Sequence, residues 1–464
     1  MSAIPTRPGT RPVAAPSLFD QLAGQVRPRD GWSWLGLAFD KCVDAAVVLL
    51  IIITTAAVVA LPSKMADGEV SWAGLVWLVA MVIGVGLAAL RPLRTLQGGL
   101  LILPFVLLTG WVWLSVAWTE SLFDTIRGAL FLTGSQLAAV AIAARYSWEK
   151  LIKLTGLSLL ILCGLSLLLA VGVPSIGRMS EIHPGAWSGV WAEKQALGFF
   201  SYHLAAIGIA LALYDRRNWH WLLVVPLAVV LMLGATGRTA ILMSVLGVGV
   251  LAWAWMLQQG PRVALAMGWA GLVGGLCAFG LAFALTDELL KLMGRSGDLT
   301  GRTEIWDVLR NIARIDPIKG LGYQSFWRGE FVMTSPYQWI IDQTGFTPAN
   351  AHNSWLDTQV QLGLVGLVLL IASVGWCWML ALGRLRNGGL GAAFALSTLS
   401  ALTLISFSET IFLNPIDFQW FLFVMIAAKL ALGDEAPQLE PLADPDRLEG
   451  RMEGAAWTFR PPDA

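Results

Sequence analysis

"PANAHNSWLDTQVQLGLVGLVLL", from Pro348 to Leu370, sets His352 at the threshold of a long apolar run and places Asn353, Asp357, Gln359 and Gln361 in the turns that follow. From Leu362 to Leu382 the chain carries no charged residue. A helix rises about 1.5 Å per residue, so ~20 apolar residues cross a hydrocarbon core of ~30 Å. The stretch therefore reads as a membrane span over 354–381, and its polar start needs a reason. Asn353, Asp357 and Gln361 recur every four residues and form one stripe. Facing lipid such a stripe is expensive, so the expectation is a helix that lines a water-filled site.

Comparable runs recur near 41–61, 72–91, 99–117, 126–144, 152–174, 195–214, 219–235, 238–258, 263–285, 389–407 and 415–432. With 354–381 they make about twelve spans by length. The whole composition agrees: of 464 residues 56% are hydrophobic and 13% charged, with 23 tryptophans and a mean hydropathy of +0.67. No period-two alternation of a barrel strand accompanies the runs, so the class is all-α, a polytopic membrane helical bundle. The expected organisation is a disordered tail over 1–35, nine spans within 36–287, a large partly helical loop over 288–351, three spans within 352–432 and a second disordered tail over 433–464.

Lys and Arg set the orientation. Arg7, Arg11, Arg27, Arg29, Arg91, Arg94, Arg145, Lys150, Lys153, Arg216, Arg217, Arg262, Arg384 and Arg386 fall on one side, which is cytoplasmic by the positive-inside rule. Both termini are then cytoplasmic, and 175–194, 236–238, 286–353 and 408–414 lie outside. Thirty-one basic residues balance 31 acidic ones, which argues against a nucleic-acid partner. Cys42, Cys163, Cys277 and Cys377 lack the spacing of a metal site or disulfide framework and read as small packing residues.

Outer loops ought to be poor in Lys and Arg, yet Arg178, Lys194, Arg238, Arg295 and Arg302 stand there. In "GATGRTAILM" Arg238 falls in the first turn of a helix, where the macrodipole is already positive. A bound anion reverses that conflict, because free N–H groups and an Arg fork together suit phosphate oxygens. Snorkelling to lipid headgroups is the alternative. Lys194 in "WAEKQALGFF" repeats the placement, with Glu193 available to neutralise it. In "LTGRTEIWDVLRNIARIDPIKGLGYQSFW", Ile305, Trp306, Leu309 and Ile312 recur at helical spacing, an amphipathic helix in the loop with Arg302 in its first turn. Gly320 and Gly322 with Tyr323, Phe326 and Trp327 then form a turn able to cover a cavity or stack on a sugar. His352 lies on the same side, and imidazole changes charge near neutral pH.

On these residues the chain resembles the O-antigen ligase and polymerase superfamily of multi-pass bacterial envelope proteins. "GATGRTAIL", "LTGRTEIW", "GLGYQSFW" and "AHNSWLDTQVQLGLVGL" carry the likeness, which runs from about Trp187 to the last span. The phrase from Leu299 to Trp327 looks most like the exopolysaccharide-polymerase branch. That branch tends to show a His-Lys-Asn triplet where this chain has Glu193-Lys194-Gln195, so Lys194 alone has a counterpart. The resemblance implies a metal-independent glycosyltransferase of the bacterial inner membrane, acting at its periplasmic face without a cofactor. It implies an undecaprenyl-diphosphate-linked glycan as donor and a sugar hydroxyl, of a glycan or of lipid A core, as acceptor. Membrane lipids and other polysaccharide-assembly proteins are the remaining partners it implies. Carried over, Arg238 and Arg302 hold the diphosphate and His352 is the catalytic base; Lys194, Arg178, Trp306, Tyr323 and Asn353 complete the expected substrate-binding set.

Elementary chemistry fits that set. A glycosyl diphosphate brings its own leaving group, so the remaining tasks are to neutralise developing phosphate charge and to take a proton from the attacking alcohol. Guanidinium does the first with two parallel donors, and imidazole the second. The outer acids Glu181, Glu193, Asp298, Glu304, Asp307, Glu330 and Asp342 are scattered, with no Asp-x-Asp pair for a divalent ion. The rival class is a secondary transporter, resting on Asp40, Lys41 and Asp44, which sit near the cytoplasmic edge where they can snorkel or pair with one another.

Overall fold

In hydrocarbon a peptide group has no water to bond, so a run of Leu, Val, Ala and Ile satisfies its backbone by coiling into a helix. The computed structural model describes residues 33–66, 72–180, 183–284, 302–327, 338, 341 and 350–434. These are nearly all helical, and the one strand-like pairing among them is an isolated bridge between Arg178 and Trp187. In chain order the helices are α1 (Ser33–Thr54), α2 (Ala57–Ala66), α3 (Ala73–Leu90), α4 (Pro92–Leu101), α5 (Leu103–Leu114), α6 (Leu122–Arg145) and α7 (Trp148–Gly172). There follow α8 (Lys194–Tyr214), α9 (Val224–Ala235), α10 (Arg238–Leu257), α11 (Pro261–Ala284), α12 (Arg302–Ile312), α13 (Ser354–Gly383), α14 (Gly389–Ile405) and α15 (Phe418–Leu432).

Among the described residues seven helices are long and apolar enough to cross a membrane, or up to nine if each of two bent pairs is one span. One pair, α1 with α2, bends by 54° where Ala56 takes φ +60°; the other, α4 with α5, bends by 89° at Ile102 ahead of Pro104. Pro261–Cys277, Gly389–Ile405 and Phe418–Leu432 are apolar helices of shorter length, so of the expected twelve spans seven to nine meet the test of length and composition among the described residues. The multi-pass helical membrane architecture is clear. The 1–35 tail lies outside the described residues except for its last three positions, as does most of 433–464 and much of the 288–351 loop.

The α15 helix is apolar all round except for Gln419 and Lys429, and every residue from Phe418 to Leu430 is buried, the pattern of a central staff with helices all round it. Phe105, Phe412, Trp420 and Phe423 stack about its first turns, with centroids 5.0 to 6.1 Å apart. At the far end, Asp40 pairs with Arg145 at 2.6 Å and Asp44 with Lys150. The early acids thus find partners on α6 and α7 instead of pairing with Lys41, and the feature that suggested a transporter is an edge-level ion-pair set tying α1 to its neighbours.

The structure reverses the reading of the polar stripe. At Gly363, φ +65° and ψ −164° break α13. In an unbroken helix Leu364 and Val365 would donate to the carbonyls of Val360 and Gln361. Here they donate to Pro317 O (2.8 Å) and Ile318 O (3.2 Å), while the Val360 and Gln361 carbonyls accept from Leu321 N (3.0 Å) and Gly322 N (2.9 Å). The indole of Trp111 donates to the Leu362 carbonyl at 3.0 Å. The segment 317–322 is therefore wedged into the break, and the peptide groups the break exposes are paired. Gly320 (φ +70°) packs on the Gly363 backbone, and a Cβ on Gly363 would fall on the Ile318 carbonyl.

Beyond the break, 363–383 measures about 30 Å, long enough to cross the hydrocarbon without 354–362. Within 354–362, Asp357 and Gln361 are buried, not cavity-lining. Asp357 accepts from Trp327 Nε1 (2.7 Å), Ala351 N (3.3 Å) and Gln361 Nε2 (2.6 Å), and Gln361 Oε1 accepts from Gln324 N (2.6 Å). The stripe fastens the 320–327 turn to α13.

Gly363→Ala forces a side chain into a positive-φ position against backbone, at a cost of about 1–3 kcal/mol from strain alone. Its thermal unfolding midpoint in detergent is expected to fall clearly below that of Gly375→Ala, where a Cβ meets nothing within 4 Å. Equal midpoints would contradict the wedge.

Candidate active site

His352 immediately precedes the N-cap of α13 and has φ +47°, a left-handed conformation that a non-glycine residue holds only when its surroundings insist. Its N–H donates to Asn350 Oδ1 at 2.9 Å, and its half-buried ring places Nδ1 3.0 Å from Glu409 Oε2. Asn353 is the N-cap, its Oδ1 accepting from Trp355 N (3.0 Å) and Leu356 N (3.1 Å).

Ser354, fully buried, is the hub of this corner. Its N–H donates to Ser406 O (2.9 Å) and its hydroxyl to Glu409 O (2.9 Å), while Oγ accepts from Ile411 N (2.9 Å) and Phe412 N (3.2 Å). Asn353 N adds a bond to Thr410 Oγ1 at 3.3 Å. Residues 352–354 and 406–412 thus form a clasp that fixes the imidazole against a carboxylate.

A second group is cationic. Lys194 and Arg238 each open a helix, α8 and α10, and neither helix has a side-chain cap. The two starts lie together: Gly198 and Ala240 are so close that a Cβ on Gly198 would meet Ala240 Cβ at 2.6 Å. The Arg238 guanidinium is exposed and within electrostatic range of the Lys194 ammonium. Two uncapped N-termini and two side-chain cations therefore present positive potential from one place. His183, exposed beside them, has its pKa lowered by partial desolvation and then by the Lys194 ammonium, with Glu193 opposing.

The register of α10 against α14 relates the two groups. Ser397 Oγ donates to Gly247 O (2.7 Å), and Gln258 Nε2 to Leu385 O (2.8 Å), so the helices run antiparallel. Nine residues on from the Gly247–Ser397 contact, toward the same end, stand Arg238 and Ser406. Ser406 is the residue that holds Ser354. The cations and the His352–Glu409 pair share one end of the bundle.

The other expected residues are placed as follows. Arg302 opens α12, and its side chain lies outside the described residues. Trp306 is half-buried and donates to the Ala351 carbonyl at 2.9 Å, next to His352. Tyr323 is 1% exposed, with its hydroxyl on Leu413 O, so it offers no open ring face. Arg178 is half-buried, donates from Nε to Ala170 O (2.8 Å) and lies over the Trp187 ring at 5.6 Å.

Three residues escaped the sequence reading: Glu409, His183 and Lys64. Glu409 stands 57 positions from its histidine in a short polar connection, and nothing in spacing joins them. Lys64, at the end of α2, donates to Ser188 Oγ (2.9 Å), Gly189 O (3.0 Å) and Trp191 O (3.0 Å), anchoring the turn that leads into Lys194. An outer lysine after an apolar helix was the available signal.

Residues 222–371 match the family model described as O-antigen ligase, a segment that contains Arg238, Arg302 and His352 and stops short of Glu409. The chain is also 29% identical over 169 residues to the exopolysaccharide production protein ExoQ of Rhizobium meliloti (strain 1021), across 35% of this chain and 38% of that protein. The resemblance to the O-antigen ligase and polymerase superfamily, on its exopolysaccharide side, is borne out.

Ser354→Ala removes three hydrogen bonds at the clasp and leaves the buried N–H groups of Ile411 and Phe412 without that acceptor. A loss of about 1–3 kcal/mol is expected. Hydrogen exchange should show faster exchange over 409–412 in the variant; unchanged protection there would show that Ser354 does not hold the loop.

Proposed function

We propose that this protein is an inner-membrane polysaccharide polymerase, which transfers a glycan from an undecaprenyl-diphosphate-linked oligosaccharide to an acceptor sugar hydroxyl at the periplasmic face. The observation that carries the reading is a histidine in a strained backbone conformation, held by a carboxylate, at the end of the bundle where two uncapped helix starts bring Lys194 and Arg238 together.

The reaction has one bond to make and one to break. With Nδ1–H donating to Glu409, His352 presents its Nε2 lone pair to the acceptor O–H. The hydroxyl oxygen attacks the anomeric carbon while Nε2 takes its proton, and the bond from that carbon to the diphosphate oxygen breaks. Undecaprenyl diphosphate leaves with the electron pair. Direct displacement inverts the anomeric centre. The imidazolium formed lies beside the Glu409 carboxylate, and the charge growing on the leaving diphosphate meets Arg238, Lys194 and the free N–H groups of their helices. Arg302 is assigned the second guanidinium. Arginine chemistry of this kind requires no metal ion, and this reading includes none.

The lipid part of the donor needs apolar space beside the diphosphate. A small, largely apolar hollow of about 30 Å³ lies between α1, α3, α6 and the start of α15, bounded by Leu50, Trp77, Met81, Phe131 and Ile416, and it would have to widen to take an isoprenoid segment. Positive-inside placement of Lys and Arg supports a cytoplasmic position for both termini.

The family description supports a second reading, ligation of the glycan to lipid A core or to protein. The exopolysaccharide relative favours the polymerase.

Reconstitution in proteoliposomes with lipid-linked oligosaccharide, with and without lipid A core, separates them. A ladder of products without core is expected, whereas a single core adduct would establish the ligase. His352→Ala should lower transfer by about 10²- to 10⁴-fold with normal membrane levels. Arg238→Ala should raise the KM for donor more than for acceptor, and EDTA should leave the rate unchanged. Full activity of His352→Ala, or loss with EDTA restored by Mg²⁺, contradicts the mechanism.

A further inference from the structure

A base at His352 demands that the acceptor sugar lie within hydrogen-bond reach of the imidazole. A pyranose has polar edges and C–H-rich faces, and proteins hold such faces on flat aromatic rings. The sequence points to Tyr323, Phe326 and Trp327 for that role, yet these are 1%, 0% and 7% exposed. They belong to the packing beneath the site.

Another aromatic residue stands open beside the clasp. Phe407 is 56% exposed and lies two residues before Glu409. Its carbonyl accepts from Asn353 Nδ2 at 3.4 Å, so its backbone is tied to the residue next to His352. Its ring lies against Trp355, with centroids 5.6 Å apart and planes at 30°. Trp355 is locked in turn: its indole donates to Ser406 Oγ at 3.0 Å, and its ring meets Phe412 edge-on at 5.8 Å.

A ring supported on one side and bare on the other is preorganised for a flat ligand, because little side-chain freedom is lost on stacking. The neighbours decide what that ligand is. Ser406, Ser408, Glu409 and Thr410 surround Phe407 in the chain, and Thr410 Oγ1, which accepts from Asn353 N, keeps its own O–H for donation. A ring set to anchor in acyl chains would stand among apolar residues; one set for a sugar stands among hydroxyl and carboxylate groups.

We propose that Phe407, backed by Trp355, is the stacking platform for the acceptor sugar ring, holding the hydroxyl that His352 deprotonates. The acceptor is thus a pyranose with a C–H-rich face, presented to the clasp from the side of 406–410. The inference rests on the reading of His352 as the base.

The test separates the two. The probe is the repeat oligosaccharide freed from the lipid-linked pool of the producing cells by mild acid, titrated into the detergent-solubilised full chain by calorimetry. Phe407→Ala and Phe407→Leu should each weaken binding by roughly two- to tenfold, whereas Phe407→Trp retains it. Leucine keeps the apolar surface but lacks the flat face, so wild-type affinity in Phe407→Leu overturns the platform and leaves Phe407 as a lipid contact. Absence of binding to the wild-type chain overturns it as well. Transfer by His352→Ala in proteoliposomes is measured alongside. Inactive His352→Ala with an unaffected Phe407→Leu removes the platform alone, and active His352→Ala removes the base itself.

Discussion

A helix broken at the edge of a membrane must find partners for the peptide groups it exposes, and the arrangement of this protein follows from how that is done at Gly363. The segment 317–322 enters the break and takes over the hydrogen bonds that Val360, Gln361, Leu364 and Val365 would otherwise exchange. The same insertion draws the amphipathic helix α12 onto α13 through Ile305, Val308, Leu309 and Ile312. With the lower part of α13 long enough to serve as the span, its first nine residues are not needed to cross the bilayer. They carry His352 to the last turn of α14, where Ser354 zips 406–412 into place.

The site is therefore assembled from chain segments far apart in sequence, and each carries a recognisable local conflict. His352 has positive φ. Thr236, just before Arg238, has φ +53°. Lys194 and Arg238 put positive charge where two helix dipoles are already positive. Such conflicts are tolerable in a protein when something is gained elsewhere, and an anion at the cationic pair would resolve the last of them.

Much of this was legible in the sequence, and the rest was hidden for physical reasons. Apolar runs reveal helices because lipid leaves the backbone no other choice, and the positions of Arg238 and His352 at the starts of two such runs were evident. The polar stripe of Asp357 and Gln361 reads as cavity-lining, yet both residues are buried. Periodicity tells which residues share a face of a helix, but not whether that face meets water or another buried polar segment. Gly320 and Gly322 read as a turn, whereas the small size of Gly320 is what lets its backbone lie on that of Gly363, and Gly322 makes room for Thr119. Glu409 could not be paired with His352 from spacing, since 57 positions and two whole helices, α13 and α14, separate them.

The central claim is that the cations at the starts of α8 and α10 and the His352–Glu409 pair act on one lipid-linked diphosphate sugar. Cryo-electron microscopy of the protein in nanodiscs loaded with lipid-linked oligosaccharide tests it directly. The account predicts diphosphate density against Arg238 and Lys194, with the first sugar's anomeric carbon facing His352 Nε2 across room for one hydroxyl. Diphosphate density at another place, or a His352 ring turned away from the sugar, would contradict it.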